Sequence, residues 1–278
     1  MSPLPRLNRL FHPDSGRCID IAMDHGFFGE PDLLTGVEDM AAAVDAVAEG
    51  EPEAIQVAPG QARLLQDRPG RFKPALVIRG DVANVYSPVP PSEPFDLLLD
   101  DAIGQAVRLD AVCVCLNLFD IPGQGDLRRQ CLENIGAALT AGRRVGMPIM
   151  VEPLPMRPGA GAYEVEADAE RLVPLVRQAA ELGADLIKCD ATEDLADFAR
   201  LVEAAGIPVL VRGGGRIEEA ELFERTHAVL ERGARGIVYG RNVIQHADPP
   251  AMVRALRAVV HEGASPGEAA RSLTAAAA

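Results

Sequence analysis

Tryptophan is absent from this 278-residue chain, aromatic residues amount to 4%, and lysine occurs twice, as Lys73 and Lys188, among 27 basic side chains. So few aromatics remove the interleaved basic and aromatic surface on which nucleic-acid bases stack. A formal net charge of −14 points the same way, because a broad phosphate-backbone footprint needs an excess of cations. No apolar run is long enough to span a membrane. The N-terminal "MSPLPRLNRLFHPDSGRCIDIAMDHG" lacks the basic region and apolar stretch of a secretory signal, so a cytoplasmic protein is expected. The five cysteines (Cys18, Cys113, Cys115, Cys131 and Cys189) are odd in number and unpaired in spacing, and they read as reduced residues, most of them in the core. "CVC" has one intervening residue and no nearby histidine, which is not a metal-ligand pattern, so no metal is expected. Small molecules remain as the expected partners.

What is present is alternation. Eight short apolar runs recur: "CIDIAM" (18–23), "AIQV" (54–57), "ALVIR" (75–79), "AVCVCLN" (111–117), "IMVEPL" (149–154), "DLIK" (185–188), "IPVLVR" (207–212) and "GIVY" (236–239). Between them lie segments such as "VEDMAAAVDAVAEG" and "DAERLVPLVRQAAELG", with apolar residues at three- and four-residue spacing and a terminal glycine, the pattern of a capped helix feeding a buried strand. Eight strand–helix units predict a single (β/α)8 TIM barrel over residues 1–278, with a doubly wound open sheet as the alternative. Residues 1–10 are expected as an N-terminal extension and 265–278 as a partly disordered tail. The proline-rich "GDVANVYSPVPPSEPFD" (80–96) is too long for a simple connection and reads as a structured loop over the barrel mouth.

In such a barrel, charged residues at the C-terminal strand ends surround the active site. Asp24 and His25 follow the first predicted strand, Arg79 and Asp81 the third, and Asn117 and Asp120 the fourth; Glu152 lies on the fifth, Lys188 closes the sixth, Arg212 the seventh, and Arg241 follows the eighth. Arginine stays protonated, whereas a lysine amine can lose its proton and attack a carbonyl. Desolvation at a strand end is expected to lower the Lys188 pKa and make it a nucleophile. A lysine paired with Asp24, Glu152 or Asp190 is the structural alternative. "VRGGGR" (Gly213, Gly214, Gly215) and "YGRN" (Gly240, Arg241) follow adjacent strands, where backbone N–H groups and an arginine can cradle a phosphate.

Together, "AMDHG", "GADLIK", "PVLVRGGG" and "GIVYGRNVIQHADPPAMVRALRAVVHEGA" resemble the class I, Schiff-base aldolases of the archaeal-type fructose-bisphosphate aldolase family. That family is similar to the aminodideoxyheptulosonate synthases and the autoinducer-2 thiolase, within the wider DeoC/LacD-like superfamily. The likeness runs from about residue 8 to 264, and the last motif is its most specific part. It implies a TIM barrel, homo-oligomers such as pentamers or decamers, and a reaction that needs no cofactor beyond the lysine Schiff base. Lys188 matches the Schiff-base lysine and Asp24 the aspartate that contacts substrate hydroxyls. Gly213, Gly214, Gly240 and Arg241 match the phosphate loops.

One departure affects the chemistry. The tyrosine that such aldolases carry after strand five is replaced, in "MPIMVEPLPMRPG", by Leu154. Glu152 lies two residues earlier, on the same face of an extended strand, and becomes the acid/base candidate, with a pKa expected to be raised by burial. Arg79 and Asp81 are candidates for reading the far end of the substrate, or an ion pair that holds the lid loop. Tyr163 is a second source of a phenol if its loop folds inward. The expected activity is aldol cleavage or formation of a phosphorylated ketose with dihydroxyacetone phosphate as the enamine-forming partner. A thiolase or transaldolase-type transfer and a non-catalytic sugar-phosphate sensor are the alternatives.

Overall fold

The computed structural model describes residues 4–70, 72–159 and 161–276. The eight apolar runs are eight parallel strands: β1 (Cys18–Ala22), β2 (Ala54–Val57), β3 (Ala75–Arg79), β4 (Cys113–Asp120), β5 (Ile149–Pro158), β6 (Leu186–Cys189), β7 (Val209–Arg212) and β8 (Gly236–Tyr239). Their order, β4-β3-β2-β1-β8-β7-β6-β5, is closed by pairing of β4 with β5, so the sheet is a barrel rather than the open alternative. Helices fill the connections, among them Met40–Glu49, Gly125–Val145, Ala169–Leu182 and Glu219–Glu231. Gly183 ends Ala169–Leu182 in the left-handed conformation, its N–H returned to Ala179 and Ala180, and the chain enters β6 three residues later. Gly50 ends its helix right-handed, so the terminal glycines do not all form the same cap.

Strands β4 and β5 run further than the sequence suggested. They remain paired from Val114 opposite Ile149 to Asp120 opposite Pro155 and rise above the barrel rim. Beyond the rim, β5 folds back antiparallel on Tyr163–Val165. The 80–96 segment is a structured loop, rooted in a short antiparallel hairpin of Asp81–Ala83 against Asp96–Leu98.

Side chains alternate across each strand, so every second residue points into the barrel. Cys18, Ala54, Val77, Cys113, Leu186 and Leu210 form a fully buried apolar layer there, and Leu10 joins the same cluster. The expected N-terminal extension therefore contributes to the core. Within the expected C-terminal tail, Pro266–Ala276 is a helix with Ala269 and Leu273 buried, because those two residues give it an apolar stripe to pack. Residues 277 and 278 lie outside the described residues. Among the described residues no helix is long and apolar enough to cross a membrane.

Leu10→Ala would leave a void in the barrel floor. It is expected to cost about 3 kcal/mol in urea unfolding, and a loss below about 1 kcal/mol would show that the floor does not depend on Leu10.

Candidate active site

One step up each strand from the apolar layer, the same alternation turns polar side chains inward. Ala54 leads to Gln56, Val77 to Arg79, Cys115 to Asn117, Met150 to Glu152, Leu186 to Lys188 and Leu210 to Arg212. Asp24 follows Ala22 at the same spacing. The layer is buried: Lys188 is 5% exposed, Asp24 4%, Arg79 and Glu152 2% each, and Asn117 0%. Buried charges survive only when paired, and these are.

Glu152 is the hub. Its Oε2 lies 3.1 Å from Lys188 Nζ and accepts from Arg79 Nη2 at 2.6 Å, while its Oε1 lies 3.3 Å from Arg212 Nε. Arg79 spends its fork inward, donating through Nε to Asp24 Oδ2 at 2.8 Å and through Nη1 to Asn117 Oδ1 at 3.1 Å. Gln56 donates to the same Asp24 oxygen at 2.7 Å. Arg212 donates to Asp190 Oδ2 at 2.9 Å.

These contacts reverse two expectations about protonation. Burial disfavours the Lys188 ammonium, but Glu152, Cys115 and Asp24 together outweigh it and hold the amine above the ordinary lysine range. Burial likewise opposes ionisation of Glu152, yet Lys188, Arg79 and Arg212 hold it well below the ordinary glutamate range. Desolvation was the right force to weigh, but in both cases short ion pairs override it. Asp24 follows the same pattern: Arg79 and Lys188 keep it ionised against burial.

Above this layer opens a cavity walled by Asp24, Arg79, Glu152, Lys188 and Arg212, with Gly213, Gly214, Gly240 and Arg241 along one side. No turn or ladder bond between described residues uses the N–H of Gly214 or Gly215. Arg241 donates to Gly214 O at 2.8 Å, and Asn242 holds the loop through Gly213 O and Gly215 O at 3.3 and 3.1 Å. Burial and the charge of Arg212 both disfavour the Arg241 cation, a tension that an incoming anion relieves. Gly240 has to be glycine, since a Cβ there would meet His25 Cε1 at 2.3 Å. Burial pushes the His25 pKa down to about 4, so its imidazole is neutral beside the anion loop.

The strand-end residues are thus gathered into one site, with exceptions. Asp81 does not reach the cavity; it is fully buried at the hairpin root, accepting from Asn117 N at 2.5 Å and Asn117 Nδ2 at 3.2 Å. Asn117 likewise holds Arg79 and Asp81 without lining the cavity. Gly215 lines a separate groove with Asp190, Thr192 and Arg225. Tyr163 is bonded by Gln124 Nε2 at 3.2 Å outside the cavity, and Leu154 is buried opposite Phe119. Asp120 pairs with Arg128 and Arg171, also away from the cavity. Two residues were not anticipated. Tyr86, within the proline-rich loop, lines the cavity, and Asp20, inside β1, lies beneath it with neither carboxylate oxygen hydrogen-bonded. The alternation of β1 already aimed Asp20 inward between Cys18 and Ala22. Among the described residues no three His, Cys, Asp or Glu side chains are grouped to hold a metal ion.

A closed (β/α)8 barrel with one lysine buried among carboxylates at its C-terminal mouth has the architecture of an enzyme of the class I aldolase type. The chain belongs to the DeoC/LacD family of aldolases, whose family model matches residues 18–246. It is 30% identical to an uncharacterised aldolase of Saccharolobus solfataricus over 276 residues, covering 96% of this chain and 97% of that protein. It is 32% identical to the 3-hydroxy-5-phosphonooxypentane-2,4-dione thiolase of Escherichia coli over 256 residues, 92% of this chain and 81% of the thiolase. Its structure is similar to that of an archaeal fructose 1,6-bisphosphate aldolase, with a TM-score of 0.75, 26% identity, and coverage of 94% of this chain and 100% of the other.

Burial pushes Asp20 from 3.8 up to about 7, against the pull of Lys188. A carboxyl group that binds its proton more tightly when folded stabilises the fold below the unfolded pKa, and the contribution is lost as pH rises through the folded one. The change across roughly pH 4 to 7 is on the order of 4 kcal/mol. Urea unfolding of Asp20→Asn is therefore expected to show a shallower loss of stability over that window than the parent protein. Parallel pH profiles would contradict the assignment.

Proposed function

We propose that this protein is a class I aldolase that forms or cleaves a carbon–carbon bond of a phosphorylated ketose through a Schiff base on Lys188, with dihydroxyacetone phosphate as the enamine-forming partner. The observation that carries this reading is the 3.1 Å contact between Lys188 Nζ and Glu152 Oε2 inside the cavity. The amine has to shed a proton before attacking a carbonyl, and Glu152 is in place to take it. Carbinolamine dehydration then gives an iminium, whose electron withdrawal lets the adjacent bond break and leave an enamine. Asp24, kept ionised by Arg79 and Lys188, accepts the proton of the substrate hydroxyl whose carbon becomes the aldehyde. The phosphate sits against the N–H of Gly214 and the guanidinium of Arg241. In this reading the reaction takes no metal or organic cofactor.

The likeness to a thiolase that acts on a phosphorylated dione favours a second reading, transfer of the fragment to an acceptor from the same iminium. Turnover that requires an added acceptor would select it. A sensor would bind sugar phosphates without forming an adduct.

Borohydride reduction in the presence of dihydroxyacetone phosphate is expected to label Lys188, which peptide mapping distinguishes from Lys73, the other lysine. Lys188→Met should abolish both label and turnover. Failure of every phosphorylated ketose to label the protein would leave the sensor. Arg241→Ala is expected to raise KM for a phosphorylated substrate about 10- to 100-fold, the worth of a charge-assisted bond, with little change for the dephosphorylated analogue. An equal rise for both would remove Arg241 from phosphate binding.

A further inference from the structure

Carbon–carbon cleavage through an enamine needs a group that holds a proton at working pH and can hand it to carbon. The two carboxylates that wall the cavity do not hold one at rest, because the adjoining cations keep Asp24 and Glu152 ionised. A proton passed from Lys188 to Glu152 is poorly held, since Arg79 at 2.6 Å and Arg212 at 3.3 Å still favour the carboxylate. His25 is neutral and presses against the anion loop at Gly240. Four nearby groups bind their proton more tightly than the free side chain does: Asp20, Asp81, Cys115 and Tyr86. Asp20, Asp81 and Cys115 lie behind or beneath the wall, and of the four Tyr86 lines the cavity.

Resting on the Schiff-base reading, we infer that the Tyr86 hydroxyl, carried in on the loop between β3 and β4, is the proton donor to the enamine carbon. The ring is fixed for that task. It packs at 4.6 Å and 60° against Phe28, and at 6.0 Å and 69° against Phe119, so the phenol is held by two aromatic contacts from different elements. Phe28 also lies in the cavity wall, with the Arg79 guanidinium 5.8 Å from its ring. In the cleavage direction the enamine C=C pair forms a C–H bond with the phenol proton, the nitrogen lone pair forms the C=N bond, and Tyr86 is left as a phenolate. Burial and Glu152 oppose that charge, so the phenolate is short-lived, and Arg212 and Arg79 offset part of its cost. The proton that Asp24 took from the cleaved hydroxyl returns to Tyr86 through solvent, and hydrolysis of the iminium frees the ketone. In the reverse direction Asp24 takes the Tyr86 proton through solvent, and the phenolate removes the α-proton of the iminium, whose C=N pair returns to nitrogen as the enamine forms.

The test uses the full-length protein with dihydroxyacetone phosphate as the probe, reading borohydride labelling of Lys188 and, by NMR in heavy water, deuterium exchange at the ketone's α-carbon. Tyr86→Phe keeps the ring packing and is expected to retain labelling while exchange falls about 100-fold or more. Val89→Ser, at an exposed site on the same loop, is expected to leave both readouts unchanged and so to control for perturbation of the loop. Labelling with undiminished exchange in Tyr86→Phe would overturn the role of Tyr86 and leave the Schiff-base reading standing. Absence of labelling in the unmodified protein would overturn both.

Discussion

The Glu152 carboxylate, buried between Lys188, Arg79 and Arg212, is the interaction on which the rest of the site depends. One anion at the centre makes it possible to place three cations in a water-poor barrel interior, and Asp24 and Asp190 complete the balance from either side. Such a cluster adds little net stability over an apolar core, but breaking it costs about 3–5 kcal/mol, because the surviving charges stay buried. The polar layer is therefore better understood as a device for fixing geometry than as a source of stability. The apolar layer below, closed by Leu10, supplies the packing that lets it exist.

Charge balance has a consequence for the proposed chemistry. An ammonium and an iminium carry the same charge, so conversion of Lys188 to its iminium leaves the pairing with Glu152 intact. The neutral amine is the state the network disfavours, and it exists only in transit. A site built this way binds its nucleophile firmly at rest and compensates the covalent intermediate equally well, which keeps reorganisation of the surrounding dipoles small. The anion side is different. Arg212 and Arg241 face the cavity at the ends of neighbouring strands, and Arg241 lacks a carboxylate partner among the described residues, so part of the positive field is left for the substrate.

The barrel was legible in the sequence because its signal is local: an apolar run, a helix and a capping glycine, repeated. Inward-facing residues such as Glu152, Lys188 and Arg212 followed from strand alternation. Protonation states were not legible, since they depend on distances between strands that are far apart in sequence; Glu152 and Lys188 are 36 residues apart yet 3.1 Å from each other. Tyr86 escaped notice for a related reason. Its loop has no periodicity from which to read a direction, and only packing on Phe28 and Phe119 decides where the phenol goes. Of the two roles weighed for Asp81, the structure holds the ion pair with Arg79 at the root of the loop, at 3.5 Å, and not substrate contact, because the chain turns there into a hairpin that buries it.

That hairpin ties the cover of the site to its floor. Asp81 begins it and accepts from both the backbone and side chain of Asn117 on β4, and Asn117 in turn accepts from Arg79, which holds Asp24 and Glu152. The loop carrying Tyr86 thus leaves the barrel from a point anchored in the same charge network that holds Lys188. A substitution at Arg79 would act on the cover as well as on the carboxylates, although Arg79 and Tyr86 share no hydrogen bond. The buried polar layer and the loop above it form one electrostatic unit, and a change in the ligand accepted at the mouth has to be accommodated by the ion pairs beneath.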